Sequence, residues 1–240
     1  IIALYPLKFY TIMLNFFAPL TEKNSAKNVI ILHGLYMHAW SMRPLALLLG
    51  KHGFSAKCFG YYSVMHPLAT HSQRLYDWLA GQKLDTTEPL HFVGHSLGGL
   101  VIRDFIYRYG TVHGKNEGLN IGRVVTIGTP HNGSASADRL RPLVPTFLGR
   151  SYSEGLDGKA PALPDGIQLG VIAGDRATGL GRLILPKTLE PNDGTVMVSE
   201  TRLCNACDHI ILPHSHSGMP FTKTVAEQTA YFLENGRFRR

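Results

Sequence analysis

A serine flanked by glycines, Gly94-His95-Ser96-Leu97-Gly98-Gly99, directly follows the apolar stretch Leu90–Val93 and opens a second apolar stretch, Leu97–Tyr109. A serine at the turn from a buried strand into a helix is a setting for nucleophilic chemistry. Strand and helix approach closely at such a turn, so the residues two before and two after the serine must lack bulk, and Gly94 and Gly98 do. The turn lifts the Ser96 hydroxyl clear of the sheet. It also leaves the N–H of Leu97 without an intrahelical partner, free to bind an oxyanion. A hydroxyl is a weak nucleophile at neutral pH and needs a base, and the base needs a carboxylate to orient it.

The chain has twelve histidines, so the base must be chosen by position. His216 and His214 both lie after the apolar stretch His209–Leu212 and before the last helical stretch. His95 forms the turn itself and is expected to point away from the serine, and His33 is expected to be structural. For the acid, Asp193 sits in the turn Pro191-Asn192-Asp193-Gly194, with Asp208 and Asp165 as alternatives.

These residues must be held by elements, and the hydrophobic pattern suggests which. Val29–Leu32 is a continuous apolar run, as in a strand buried on both faces. Ser41 is placed to cap a helix carrying Leu45, Leu47, Leu48 and Leu49, ended by Gly50 and Gly53. Phe54–Phe59 reads as a strand. Leu68, Leu75, Trp78 and Leu79 form a helical stripe stopped by Gly81. Further strands are expected at Val124–Ile127, Leu169–Ala173 and His209–Leu212, and a closing helix at Thr222–Leu233. Strands alternating with helices imply βαβ units, a mainly parallel sheet, and reactive groups in loops beyond its carboxyl edge.

Residues 134–166 break this rhythm with four prolines and an apolar group of Leu140, Leu143, Val144, Phe147 and Leu148. So long an irregular excursion in a compact domain is usually functional. It is expected to form a short cap over Ser96, with Leu143, Val144, Phe147 and Leu148 binding substrate. The domain is expected over 28–240, preceded by an apolar segment, 1–27. Residues 1–20 approach the length of a membrane span but are interrupted by Pro6, Lys8 and Asn15, and read as strands or the remnant of an anchor.

The 240 residues are 44% hydrophobic and 17% charged, which suits one large core and excludes a disordered chain. Three cysteines exclude a disulfide framework. Cys204-Asn205-Ala206-Cys207 lacks the second pair that a zinc site would need, so no metal is expected. The +7 charge, spread along the chain, suits anionic surfaces such as phospholipid headgroups. No nucleic-acid motif accompanies it. Peripheral membrane association is compatible with the charge, and no nucleic-acid partner is expected.

The chain resembles an α/β-hydrolase, and within that fold bacterial lipases and esterases. The likeness covers about 28–236 and rests on His33-Gly34-Leu35, the Ser96 turn, Thr129-Pro130-His131-Asn132-Gly133-Ser134, Asn192-Asp193-Gly194-Thr195-Val196 and His216. It implies Ser96 as nucleophile, Asp193 as acid and His216 as base, in the chain order this fold uses. It also implies Leu35 N–H as a second oxyanion donor beside Leu97 N–H. Some related lipases hold calcium with an aspartate just after the histidine. Here Ser217, Gly218 and Met219 follow instead. The resemblance implies a serine esterase or lipase acting through an acyl-enzyme without cofactor, with a small-molecule or lipid ester as its substrate. An acyltransferase, a thioesterase or an inert binding protein are the alternatives.

Overall fold

A computed structural model describes residues 27–82, 84, 88–110, 119–143, 150, 155–178 and 190–240. Six strands, β1 (Lys27–Leu32), β2 (Phe54–Phe59), β3 (Leu90–His95), β4 (Ile121–Ile127), β5 (Leu169–Gly174) and β6 (Asp208–Leu212), form one sheet in the order β2-β1-β3-β4-β5-β6. Every neighbouring pair runs parallel. The helices are α1 (Arg43–Gly50), α2 (Leu68–Ala80), α3 (Leu97–Tyr109), α4 (Ala135–Leu143), α5 (Val198–Thr201) and α6 (Lys223–Asn235).

The two-residue period of the strands divides the core. Ile30, Leu32, Phe92, Val124 and Val171 pack with Leu68, Leu75 and Leu79 of α2 and Leu100, Val101 and Phe105 of α3. Val29, Ile31, Val93, Val125 and Ile172 face the other way, against Leu45 and Leu49 of α1 and Val225, Phe232 and Leu233 of α6. Both faces of β1 and β3 are therefore buried, which is why Val29–Leu32 reads as an unbroken apolar run and Leu90–Val93 is broken only by the buried His91.

Some boundaries differ from the expectation. β1, β4 and β6 begin earlier, at Lys27, Ile121 and Asp208, because backbone pairing extends a strand past its apolar stretch. Ser41 is not a helix cap: its Oγ donates to His38 O at 2.6 Å inside a short 3-10 turn, Ala39–Met42. α1 starts at Arg43 with Pro44 in its first turn, where the missing N–H removes one of the donors a cap would satisfy.

Residues 1–20 lie outside the described residues. So do Val144, Phe147, Leu148 and the side chain of Leu143, four positions expected to bind substrate. The described part of the long excursion packs inward: Leu156, Ala160 and Leu163 join the core cluster that holds Leu97. Buried Arg103 on α3 fastens this part. Its guanidinium donates to Ala160 O (3.0 Å), Pro161 O (2.8 Å) and His131 O (2.9 Å).

Candidate active site

Ser96 stands at the end of β3 and caps α3 with φ 53 and ψ −123. Only Ser96 and Tyr36 among the described non-glycine residues have positive φ. Such backbone persists only where the surroundings fix it, and the glycines show how they do. A Cβ on Gly94 would lie 2.5 Å from Gly99 N, and one on Gly98 would lie 2.6 Å from Leu32 O. The start of α3 thus presses on the end of β1, where the His33-Gly34-Leu35 loop begins. A Cβ on Gly34 would lie 2.9 Å from Ser96 Cβ, so this loop touches the serine.

The loop also leaves a donor open. Tyr36 N–H donates to Ser63 Oγ (3.0 Å) and Met37 N–H to Gly34 O (3.3 Å). Neither Leu35 N–H nor Leu97 N–H is engaged among the described residues. Two unengaged N–H groups therefore lie on residues adjoining Ser96, Leu97 next to it in the chain and Leu35 in the loop that touches it.

His216 and Asp193 meet. His216 Nδ1–H donates to Asp193 Oδ2 at 2.7 Å, which leaves Nε2 with the lone pair a base requires. The carboxylate is 1% exposed, and its other oxygen accepts from Thr195 N–H (2.9 Å) and Val196 N–H (2.7 Å). His216 N–H donates to Asp193 O (2.9 Å), so the two loops are tied by backbone as well. Gly194, at φ 96, makes the tight turn of Asn192-Asp193-Gly194. No hydrogen bond joins Ser96 Oγ to His216; in resting hydrolases this contact often forms only with substrate bound.

The alternatives fall elsewhere. Asp208 accepts from Arg240 Nη2 (2.6 Å) and Phe238 N–H (2.8 Å), closing the C-terminus. His33 is structural, as expected: its Nε2 accepts from Tyr61 N–H (3.2 Å), and its carbonyl accepts from Tyr61 Oη (2.6 Å). His95, the last residue of β3, turns beneath the His216 loop, its ring 4.8 Å from that of His216, and its Nε2–H donates to His216 O (3.0 Å).

Sequence reading missed further supports. Glu200 is buried and accepts from Ala135 N–H (2.6 Å) and Met197 N–H (2.7 Å), joining α4 to the Asp193 loop. Burial holds its carboxyl above the ordinary value. Ser136 Oγ donates to Thr195 O (2.6 Å) on the same loop. Thr129 Oγ1 donates to Ser96 O (2.9 Å), and the His131 ring bridges Arg103 and Thr126. The Thr129–Ser134 stretch, legible only as a motif, thus braces the serine turn, and Ala135 and Ser136 directly after it brace the acid loop.

Burial drives several imidazoles well below the ordinary 6.5: His33, His71 and His91 to about 4, His95 and His131 to about 3. All five are neutral in the folded protein at pH 7. Below pH 6.5 the unfolded chain takes up protons that these buried rings refuse, so stability is full above about 6.5 and falls as pH drops toward 4. Each ring contributes at most about 1.4 kcal/mol per pH unit in that window. The melting temperature is expected to fall steeply between about pH 6.5 and pH 4.5; a flat profile by calorimetry would contradict it.

Among the described residues no group of three His, Cys, Asp or Glu could hold a metal, and Cys204 and Cys207 are exposed free thiols. Dialysis against EDTA is expected to leave turnover and melting temperature unchanged. A loss restored by calcium would show a site built from other acids.

The six-stranded parallel sheet with helices on both faces, and the strand–turn–helix that carries Ser96, define an α/β-hydrolase. The chain belongs to the palmitoyl protein thioesterase family, whose model matches residues 28–160. This makes it an enzyme of the lipase, esterase and thioesterase hydrolases. The match includes His33-Gly34-Leu35 and Ser96 but ends before Asp193 and His216, which stand on their geometry. Among curated proteins none matches in sequence.

The fold is similar to that of the mature lipase BlEst2 of Bacillus licheniformis, at TM-score 0.65 and 18% identity over 91% of this chain and 96% of that one. It is also similar to the metagenomic carboxyl esterase MGS0156, at TM-score 0.64 and 17% identity over 91% and 76%. Phospholipase PlaB from Legionella pneumophila matches at TM-score 0.62 and 16% identity over 89% of this chain and 57% of that one.

Proposed function

We propose that the protein hydrolyses carboxylic esters through an acyl-enzyme on Ser96. The observation that carries this reading is the buried Asp193–His216 hydrogen bond of 2.7 Å, in a loop packed on His95, the residue next to the strained Ser96. Ser96 Oγ attacks the ester carbonyl while His216 Nε2 takes its proton. Leu35 and Leu97 N–H groups hold the oxyanion, and Asp193 stabilises the imidazolium. His216 then gives the proton to the departing alcohol. Water, deprotonated by the same base, cleaves the acyl-enzyme. The proposal keeps Leu143, Val144, Phe147 and Leu148 as the acyl-binding group.

A second reading, hydrolysis of a long-chain acyl thioester, is favoured by the family match over 28–160. The same groups serve it, with a thiolate leaving in place of an alcohol. A matched pair of substrates, one oxyester and one thioester with the same acyl chain, separates the two by kcat/KM. Labelling of wild type, but not of Ser96→Ala, by a fluorophosphonate tests the shared nucleophile. Absence of labelling would sink both readings.

A further inference from the structure

Residues 27–76 contain Lys27, Arg43, Lys51, Lys57 and Arg74 and no aspartate or glutamate. With Asp77 of α2 the only acid, β1, β2, α1, α2 and the loops between them carry a net +4 of the chain's +7. Large apolar side chains stand out from the same region. Tyr36, Trp40, Tyr62 and Met65 are 49–65% exposed, on the loops that follow β1 and β2 at the carboxyl edge of the sheet.

The two loops form one surface. Tyr36 N–H donates to Ser63 Oγ, and a Cβ on Gly60 would lie 3.2 Å from Ala39 Cβ. Trp40 and Tyr62 flank a groove of about 780 Å³ beside the edge strand β2, with His38, Arg43, Lys57 and Arg74 also lining it and no acidic side chain among its described residues. Tyr36 directly follows Leu35, so the surface adjoins the candidate oxyanion loop. Arg150 N–H donates to Val64 O (3.0 Å), bringing the excursion that begins at α4 to the same rim.

We propose that this basic, aromatic face docks on an anionic phospholipid surface and presents the mouth of the Ser96 site to it. Tryptophan and tyrosine rings suit the headgroup layer, being apolar in the body and polar at one edge. Lysine and arginine beside them add attraction to anionic lipid that salt screens. Tyr76 and Tyr107, also exposed, lack this setting: Tyr76 stacks on Tyr109 at 4.7 Å, and Tyr107 lies toward the far end of α3.

Vesicle sedimentation of the full chain carrying Ser96→Ala tests the proposal without turnover, so its failure leaves the chemistry at Ser96 untouched. The protein is expected to pellet with vesicles of phosphatidylcholine and phosphatidylglycerol in equal parts. It should pellet weakly with phosphatidylcholine alone and be released by high salt. Lys57→Gln and Arg74→Gln should each lower partitioning about fivefold. Arg74→Gln, fully on the surface of α2, keeps the charge test valid if Lys57→Gln melts early. Trp40 emission should shift to the blue with anionic vesicles, a change lost in Trp40→Ala, while Tyr107→Ala should bind as wild type. Equal binding to both vesicle types, no binding to either, or unaltered partitioning in Arg74→Gln would overturn the proposal. So would a Trp40 shift produced by polyglutamate and not by vesicles, which would mark a site for an acidic protein.

Discussion

Ser96→Ala is expected to lower ester turnover by on the order of 10⁶ in kcat while leaving the fold intact. The loss is large because the Ser96 oxygen is the atom of the turn that forms the covalent bond to the acyl group in the proposed reaction. The fold is spared because that hydroxyl makes no hydrogen bond among the described residues. The turn is fixed instead by backbone: Ser96 N–H donates to Ile127 O (2.9 Å), and Ser96 O accepts from Thr129 Oγ1 (2.9 Å). The close approaches of Gly94 and Gly98 fix it further. Alanine tolerates φ 53 no better than serine, so the strain is common to both proteins and cancels in the comparison. Circular dichroism and a melting curve matching wild type, together with loss of p-nitrophenyl ester hydrolysis, are the expected pair of results. Turnover near the wild-type rate in purified Ser96→Ala would remove the nucleophile from the proposal.

The parts of this site that could be read from sequence share a physical cause. Val29–Leu32 is buried on both faces, so its apolar character is local and continuous, and Leu90–Val93 is interrupted only by His91. The Ser96 turn announces itself because close packing of strand on helix excludes side chains at Gly94 and Gly98, a demand written at fixed spacing. Glu200 and Arg103 left no such trace. Each is a charged residue made tolerable by partners far along the chain, Ala135 for one and Ala160 and Pro161 for the other. α5, with four residues, is too short to show a period. The packing of His95 under the His216 loop left no trace for a related reason: the alternation of a strand tells which face a side chain takes, but not which loop will fold over that face.

The choice between His216 and His214 separates a local argument from a tertiary one, and it can be measured. Both follow β6, and their spacing in sequence does not distinguish them. In the structure His216 Nδ1–H reaches Asp193 Oδ2, whereas His214 Nε2 is buried without a partner among the described residues. His216→Ala is expected to lower kcat by on the order of 10⁴–10⁶, because truncating one member of a concerted unit removes the unit. It should also cost about 1–3 kcal/mol of stability, since Asp193 Oδ2 would be left buried without its donor. His214→Ala removes an unsatisfied polar atom and no contact to Asp193, so its kcat should stay within about tenfold of wild type and its melting temperature should barely move. The two effects on His216→Ala are independent readouts: lost stability reports the hydrogen bond to Asp193, and lost kcat reports the base. A variant that loses stability but keeps its rate would leave the Asp193–His216 pair as structure and move the base elsewhere. Loss of rate in His214→Ala with His216→Ala active would move it two residues back.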